Sequence, residues 1–588
     1  MSSHIEINGI ETNNLKNIDI SIVKKGINLI IGPSGSGKSS LAYGTIAQIG
    51  QHEFFSMFAD DVSEPMYKVR DYKNMVAAVP IKQLNHNSNL RSTIGTYFGL
   101  NNNLVLLFSS LLEVSEDFFV LNKAENLCEN CHGLGFKKVL DENRIINYDM
   151  SLEKNPFRCW NKYKDFYIEM IKLFCAENGI ESRKTFRELS QSEKNTLLRG
   201  ESKEKYTVKY KRTNGISRRT TKFYGVMTDT PMMQKFSPGK QYYVEIECPY
   251  CNGRKYSPEH DEYKLLELSI GELMVTPFYM LINYVRELEL KVIDELLLIA
   301  LRKVELFIEK AVELGLGHLF FHRSIPTLSG GELQRLRLVQ VFISQITDLL
   351  LVLDEPLAGL ARTERITVYE NILRLAAKHT LVIVDHSDIF VKDAKTIIAL
   401  GEKSGKYGGY IIDEKKFLIS QKISKTLIGG MPKREIIIEL DSKVYKYNGV
   451  KLTVAENCLN LVIGKSGIGK STLMREYLHQ YFESYEYISQ KPLLGNKNSS
   501  VATVLDIFRS ILNIFAVKCN KNKQFFYNLV DGEGACAKCN GVGFLEYGDE
   551  SKIRLVCKEC SGTGFSSQLK KYKVFRVYSK NFAKTQSF

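Results

Sequence analysis

The sequence predicts an α/β protein: nucleotide-binding lobes on buried parallel strands, with a helical lobe, an inserted small domain and cysteine-based metal modules. Three observations predict it. A buried strand runs into G-x-x-x-x-G-K-S and then a helix, once at Gly26–Ser40 and again at Leu459–Thr472. An apolar strand at Asp348–Asp354 ends in adjacent carboxylates, and eight of the twelve cysteines stand in C-x-x-C pairs.

Composition bounds the rest. A chain of 588 residues suggests about four domain-sized units, and 44% hydrophobic with 25% charged residues is the make-up of folded globular protein. Lys and Arg number 80 against 66 Asp and Glu, a net charge of +14. Most of that excess sits in two places. Residues 201–222 hold eight Lys/Arg against Glu201 and Glu204, and from Gly564 onward there are six and no acid. So local a surplus points to polyanion-contact surfaces. No apolar run approaches the roughly 20 residues that span a bilayer, and the N-terminus lacks a secretory pattern. A cytoplasmic chain without a membrane role is therefore expected, its cysteines reduced and available for metal.

In the first nucleotide site, Gly26–Ile31 is the strand and Gly32-Pro-Ser-Gly-Ser-Gly-Lys-Ser39 the loop. Gly32, Ser34, Gly35 and Gly37 let backbone amides converge on phosphate oxygens at a helix N-terminus, where Ser39 and Ser40 follow. Lys38 is expected to reach the β- and γ-phosphates of ATP, and the Ser39 hydroxyl to hold Mg²⁺. Asp354 is expected in the Mg²⁺ shell and Glu355 as the base for the attacking water. His386 ends another buried strand, Leu381–Asp385, at the carboxyl edge where open α/β sheets place ligands. Upstream, Leu328-Ser-Gly-Gly-Glu-Leu-Gln-Arg335 opens a helix whose Ser329, Gly330 and Gly331 suit a γ-phosphate approached from the opposite side.

The order of LSGGELQR, LVLDEP and VDH resembles the ATP-binding-cassette family. That resemblance implies two cassettes sandwiching ATP, the glycine loop of one against the Ser-Gly-Gly of the other. It also makes Gln83 a candidate for the glutamine that senses nucleotide. The second copy of the strand and loop offers Gly464, Gly467, Gly469, Lys470, Ser471 and Thr472, with Gln490 in the corresponding glutamine position. No second LSGGE and no second carboxylate strand follow it. A dimer, or a separate chain supplying the second signature and carboxylates, is expected to complete the sites.

The cysteine pairs are Cys128/Cys131, Cys248/Cys251, Cys536/Cys539 and Cys557/Cys560. Seventeen residues separate Cys539 from Cys557, a spacing that suits a tetrahedral zinc site made of four cysteines. Between Cys131 and Cys248 lie 116 residues, so a second zinc site needs that stretch to fold with its ends together. Within it, 206–224 reads as a hairpin turning at Asn214-Gly215. Lys209, Lys211, Arg212, Arg218, Arg219 and Lys222, with Tyr206, Tyr210 and Tyr224 interleaved, suit contact with a nucleic-acid backbone.

RSTIGT at 91–96, CENCHGLGF, VEIECPYCNGRKY, TLSGGELQRLRL, LDEPLAGL and GEGACAKCNGVGF together resemble the UvrA family of excinuclease ATPases. The resemblance implies an ATP-hydrolysing, zinc-containing protein that binds double-stranded DNA and recognises damage in nucleotide excision repair, with no nuclease site of its own. About thirty residues separate RSTIGT from Cys128. The family's UvrB-binding domain would stand there, so this chain matches a shorter class and UvrB recruitment by that route is not expected. Other readings are a self-resistance protein acting on drug-bound DNA without an excision partner, and an inactive or split fragment. The expected divisions are 1–100 and 346–435 for the first ATP-binding lobe, 101–131 and 248–345 for the signature lobe with the first zinc module, and 132–247 for the insertion domain. A partial second lobe is expected over 436–510, and a second zinc module with a basic end over 511–588.

Overall fold

The computed structural model describes residues 3–58, 65–82, 87, 89–212, 215–228, 230, 232, 238–239, 242–386, 389–420, 434–442, 447–464, 468–478, 481–482, 485–488, 501–505, 507–528, 532–547, 553–574 and 577–578. They fall into two compact units, 1–54 with 66–485, and 55–65 with 486–588.

At the heart of the first unit, among the described residues, is a six-stranded sheet. Its order is Tyr410–Ile411, Ala394–Gly401, Gly26–Ile31, Thr380–Val384, Leu350–Asp354 and Ala78–Ile81. All neighbours are parallel except the Tyr410–Ile411 edge. Both faces are covered, which is why the central strands are unbroken apolar runs such as Leu-Leu-Val-Leu and Leu-Val-Ile-Val. Ile27, Leu29, Leu351, Leu353, Leu381 and Ile383 pack on one face against a helical layer that includes Asn101–Leu112, Glu295–Glu313 and Gly330–Ile343. Ile30, Leu350, Val352 and Val382 pack on the other against an antiparallel sheet of Ile18–Val23, His4–Ile10 and Asp71–Lys73. Asn28 is fully buried in the central strand, with its amide exchanging hydrogen bonds with Val23 and donating to Leu381 O. That satisfies a polar group that would otherwise be costly to bury.

The stretch between the cysteine pairs is closed by a two-stranded stem, Phe136–Leu140 against Tyr243–Glu247. Beyond the stem it builds its own core from Phe157, Trp160, Phe166, Tyr167, Phe174 and Phe223. The segment from RSTIGT to the first cysteine forms two α-helices, Asn101–Leu112 and Glu116–Phe119, and a single 3-10 turn at Ala124–Asn126.

The internal duplication extends to single hydrogen bonds. Asn460, four residues before Gly464 as Asn28 is before Gly32, clamps Ala455 as Asn28 clamps Val23. The glycines match in φ, 152° at Gly32 and 157° at Gly464, and 111° at Gly37 and 96° at Gly469. The expected strand before the second loop differs. Leu459, Leu461 and Ile463 are 96%, 80% and 81% exposed and pair with no strand among the described residues. In the first copy the equivalent strand is central, flanked by Thr380–Val384 and Ala394–Gly401. The second copy has no counterparts of these among the described residues, so the apolar run has nothing to pair with.

Candidate functional site

Tight approaches shape the first glycine loop. At Gly32 a β-carbon would lie 2.2 Å from Leu400 O, so only glycine fits. Lys38 is buried, and its Nζ donates to Gly32 O and Pro33 O, each at 2.9 Å. Burial lowers its pKa, opposed by the carboxylates of Glu355 and Asp354. In the second loop Lys470 Nζ donates likewise to Gly464 O at 2.6 Å.

The carboxylate strand ends opposite Lys38. Glu355 leaves the strand in a left-handed conformation (φ 41°), its amide donating to Val384 O at 2.8 Å on the neighbouring strand. His386, just past the end of that strand, sets its Nε2 3.2 Å from Glu355 Oε1. Burial raises the Asp354 pKa, reinforced by Glu355 and opposed by Lys38 and His386. Lys38, Asp354, Glu355 and His386 thus form one electrostatically coupled group at the carboxyl edge of the sheet, where Ser34, Ser39 and Ser40 also lie. Gln83, Gln490 and Gly467 lie outside the described residues.

Ser329 caps its helix. Its Oγ accepts from Glu332 N at 3.2 Å while Glu332 Oε2 accepts from Ser329 N at 2.8 Å, a reciprocal capping box that fixes the Gly330–Gly331 turn. His318 Nε2 lies 3.1 Å from Glu332 Oε1. Burial alone would raise the Glu332 pKa, but the hydrogen bonds from His318 and Ser329 outweigh it and hold the carboxyl down at about 2. Five residues beyond Ser329, Gln334 Nε2 donates to Asp354 O at 2.7 Å, tying the signature helix to the carboxylate strand. Sequence reasoning missed His318 and Gln334. Gln334 stood in the LSGGELQR motif, whereas His318 carried no signal at fourteen residues from its partner.

The stem brings Cys128, Cys131, Cys248 and Cys251 together, and Cys536, Cys539, Cys557 and Cys560 form a second cluster. All eight are buried and free of disulfides. Sγ–Sγ separations are 3.9 Å (Cys128–Cys248), 3.7 Å (Cys131–Cys251), 3.9 Å (Cys536–Cys557) and 3.7 Å (Cys539–Cys560). A tetrahedron with zinc–sulfur bonds of about 2.3 Å has edges of about 3.8 Å, so both clusters fit zinc. The amides of Gly135, Gly543 and Gly564 donate to Cys131, Cys539 and Cys560 Sγ at 3.2, 3.2 and 3.3 Å, the outer support a thiolate cluster needs.

The hairpin pairs Tyr206–Arg212 with Gly215–Thr221; Thr213 and Asn214, at the expected turn, lie outside the described residues, as does the side chain of Arg212. Pairing sorts the side chains by face. Thr207, Lys209, Lys211, Ile216, Arg218 and Thr220 project outward, exposed. Val208 and Tyr210 are buried in the insert core, and Arg219 lies opposite Val208 on that inner face. The Tyr206 hydroxyl donates to Glu177, and Lys222 pairs with Glu201 at 2.7 Å. The outward cations are therefore Lys209, Lys211 and Arg218. Tyr206, Tyr210 and Tyr224 pack with the insert instead of presenting rings to a ligand.

Glycine loop, carboxylate strand, histidine strand and capped signature helix define an ATP-binding-cassette fold. Comparison with known proteins narrows this. Residues 141–236 match the UvrA DNA-binding domain. The UvrABC system protein A of Synechocystis sp. is 26% identical over 516 residues, which cover 78% of this chain and 53% of that protein. Its counterpart in Staphylococcus aureus (strain Mu50) is 25% identical over 518 residues, covering 78% and 54%. The crystal structure of UvrA2 from Deinococcus radiodurans superposes with a TM-score of 0.67 at 22% identity, over 98% of this chain and 80% of that one. The chain is thus similar to UvrA proteins over most of its length, and residues 141–236 match their DNA-binding domain. It spans about half the length of the curated relatives it matches. Among the described residues, no helix is long and apolar enough to cross a membrane.

Proposed function

We propose that the chain is an ATP-hydrolysing, zinc-containing protein that binds double-stranded DNA and recognises damage in nucleotide excision repair. The observation that carries this reading is a coupled Lys38–Asp354–Glu355–His386 group in the same chain as a UvrA DNA-binding domain. Lys38 exchanges its two carbonyl partners for phosphate oxygens, bringing its ammonium to bear on the charge that develops in phosphoryl transfer. Glu355 takes the proton of the attacking water, and His386 orients that carboxylate. Ser39 and Asp354 would hold Mg²⁺, which supplies charge neutralisation at the phosphates. Ser329 with Gly330 and Gly331 closes on the phosphates bound at Lys38 of another cassette, so the sites assemble in a homodimer or with a separate polypeptide. Lys470 likewise binds phosphate, with its carboxylates supplied by a separate chain. The test is ATPase turnover of metal-quantified protein without DNA, with intact duplex and with damaged duplex. DNA-stimulated turnover that distinguishes the two duplexes is expected. An ATPase indifferent to DNA would remove the repair role.

A second reading, action on drug-bound DNA without the UvrB partner, is favoured by the two short helices that occupy the segment before Cys128. Failure to bind UvrB in a pull-down would support it.

The outward hairpin face carries the DNA contact in this proposal. Lys209→Ala, Lys211→Ala and Arg218→Ala combined should weaken duplex binding evenly across sequences. The slope of log affinity against log salt should fall by roughly 0.9 per lost contact, nearly 3 in all. Titrations at several salt concentrations check this. Lys222→Ala, which removes a cation already paired with Glu201, should leave the slope nearly unchanged.

A further inference from the structure

The two cysteine modules share a backbone plan and differ in the residue four places past the last cysteine. In each, the amide of the first cysteine donates to the carbonyl four residues past the last, Cys128 N to Lys255 O at 2.8 Å and Cys536 N to Gly564 O at 3.0 Å. Lys255 and Gly564 are therefore equivalent, and both are left-handed, with φ 72° and 73°. Glycine adopts that conformation freely, whereas a β-carbon disfavours it. The second module could not take a side chain there, since a β-carbon on Gly564 would lie 2.2 Å from Gly541 O. The first module holds a lysine against the backbone preference and buries it.

Lys255 is 3% exposed, and its Nζ has no hydrogen-bond partner among the described residues. Its stem runs across Gly135, where a β-carbon would stand 3.2 Å from Lys255 Cγ and 3.3 Å from Cε. Gly135 is the residue whose amide donates to Cys131 Sγ. Burial disfavours the ammonium and Arg91 acts with it, the sulfurs of Cys131 and Cys251 act in its favour, and His322 is a further titratable neighbour. A buried ammonium requires a counter-charge. Four thiolates around one divalent zinc leave an excess of negative charge.

We propose that Lys255 is the counter-cation of the first cysteine cluster, facing the Cys131 and Cys251 thiolates of bound zinc and leaving that module one charge less negative than the second. The proposal rests on the zinc reading of both clusters. A neighbouring cation lowers thiolate reactivity toward electrophiles, so the first module holds its zinc more persistently than the second.

The test uses the full chain, first assayed for two zinc ions. Under N-ethylmaleimide challenge, peptide mass spectrometry is expected to find Cys539 and Cys560 alkylated roughly 10-fold faster than Cys131 and Cys251, within the 10- to 100-fold range of outer-shell effects on metal sites. Both sets are similarly buried, so access does not decide the comparison. Lys255→Met should speed one of the two zinc-release phases by a similar factor and leave the other, with thermal unfolding little changed. Equal alkylation rates in the unaltered chain would overturn the proposal even if the variant fails to fold, as would unchanged release from a folded variant. A chain without zinc would overturn the zinc reading itself.

Discussion

Glu355→Gln is expected to leave ATP bound and nearly unhydrolysed, with turnover lowered by about 10²- to 10⁴-fold, the usual contribution of a positioned general base. The amide keeps the size of the carboxylate and can still hydrogen-bond His386, whose Nε2 is 3.2 Å away in the unaltered chain. It cannot take a proton. Nucleotide affinity should hold or rise, because Lys38 keeps Asp354 while the Glu355 carboxylate no longer competes with phosphate for the ammonium. Removing Glu355's charge also relieves Asp354, whose pKa it helps to raise. Phosphate release and bound nucleotide, measured on the same sample, separate the two effects. Unchanged turnover would remove Glu355 from the role of base. Protonation of Asp354 contributes to the acid limb of the pH–rate profile. Its pKa is raised, so it protonates and loses its hold on a cation at a higher pH than an ordinary aspartate would. In Glu355→Gln that limb should move to lower pH.

How much of this was legible in the sequence depended on whether a motif fixes its own backbone. G-x-x-x-x-G-K-S does, because its glycines permit one loop, and the two copies agree in φ and in the clamps made by Asn28 and Asn460. C-x-x-C pairs do so too, once the stem joins ends that are 116 residues apart. The hairpin could be read only in part. Its cations and tyrosines looked interleaved, yet the strand's period of two puts Val208 and Tyr210 on one face and Lys209 and Lys211 on the other. Arg219 could not be sorted without the register that sets it opposite Val208. The run at Leu459–Ile463 looked like a buried strand, but burial is a property of neighbours, and its neighbours are not among the described residues. His318 was invisible for a similar reason, since its partner Glu332 is reached through the fold.

The largest structural effect should come from Cys248→Ser. Cys248 is wholly buried among its three partner cysteines, and its amide donates to Gly135 O at 3.0 Å at the root of the stem. Without zinc, the stem of Phe136–Leu140 and Tyr243–Glu247 and the short bridge of Leu127 with Tyr256 must hold the ends of the insert together. An isolated two-stranded ribbon is marginally stable at best. Closing a loop of roughly 100 residues costs about 4 to 5 kcal/mol of chain entropy. A structural zinc contributes about 10 to 16 kcal/mol of apparent binding energy, enough to close the loop with several kcal/mol to spare. Losing it tips the balance to an open stem. The insert keeps its own aromatic core, so it should stay folded but no longer be fixed to the signature lobe. Three results follow from this balance: one zinc lost of two, protease cleavage in the stem that frees a folded fragment containing 141–236, and duplex affinity lowered by more than about tenfold as the outward cations lose their fixed orientation. Chelation of the unaltered chain should reproduce the cleavage. If Cys248→Ser kept both zinc ions and the original cleavage pattern, the stem would be holding the insert unaided and the cluster would have no part in closing it.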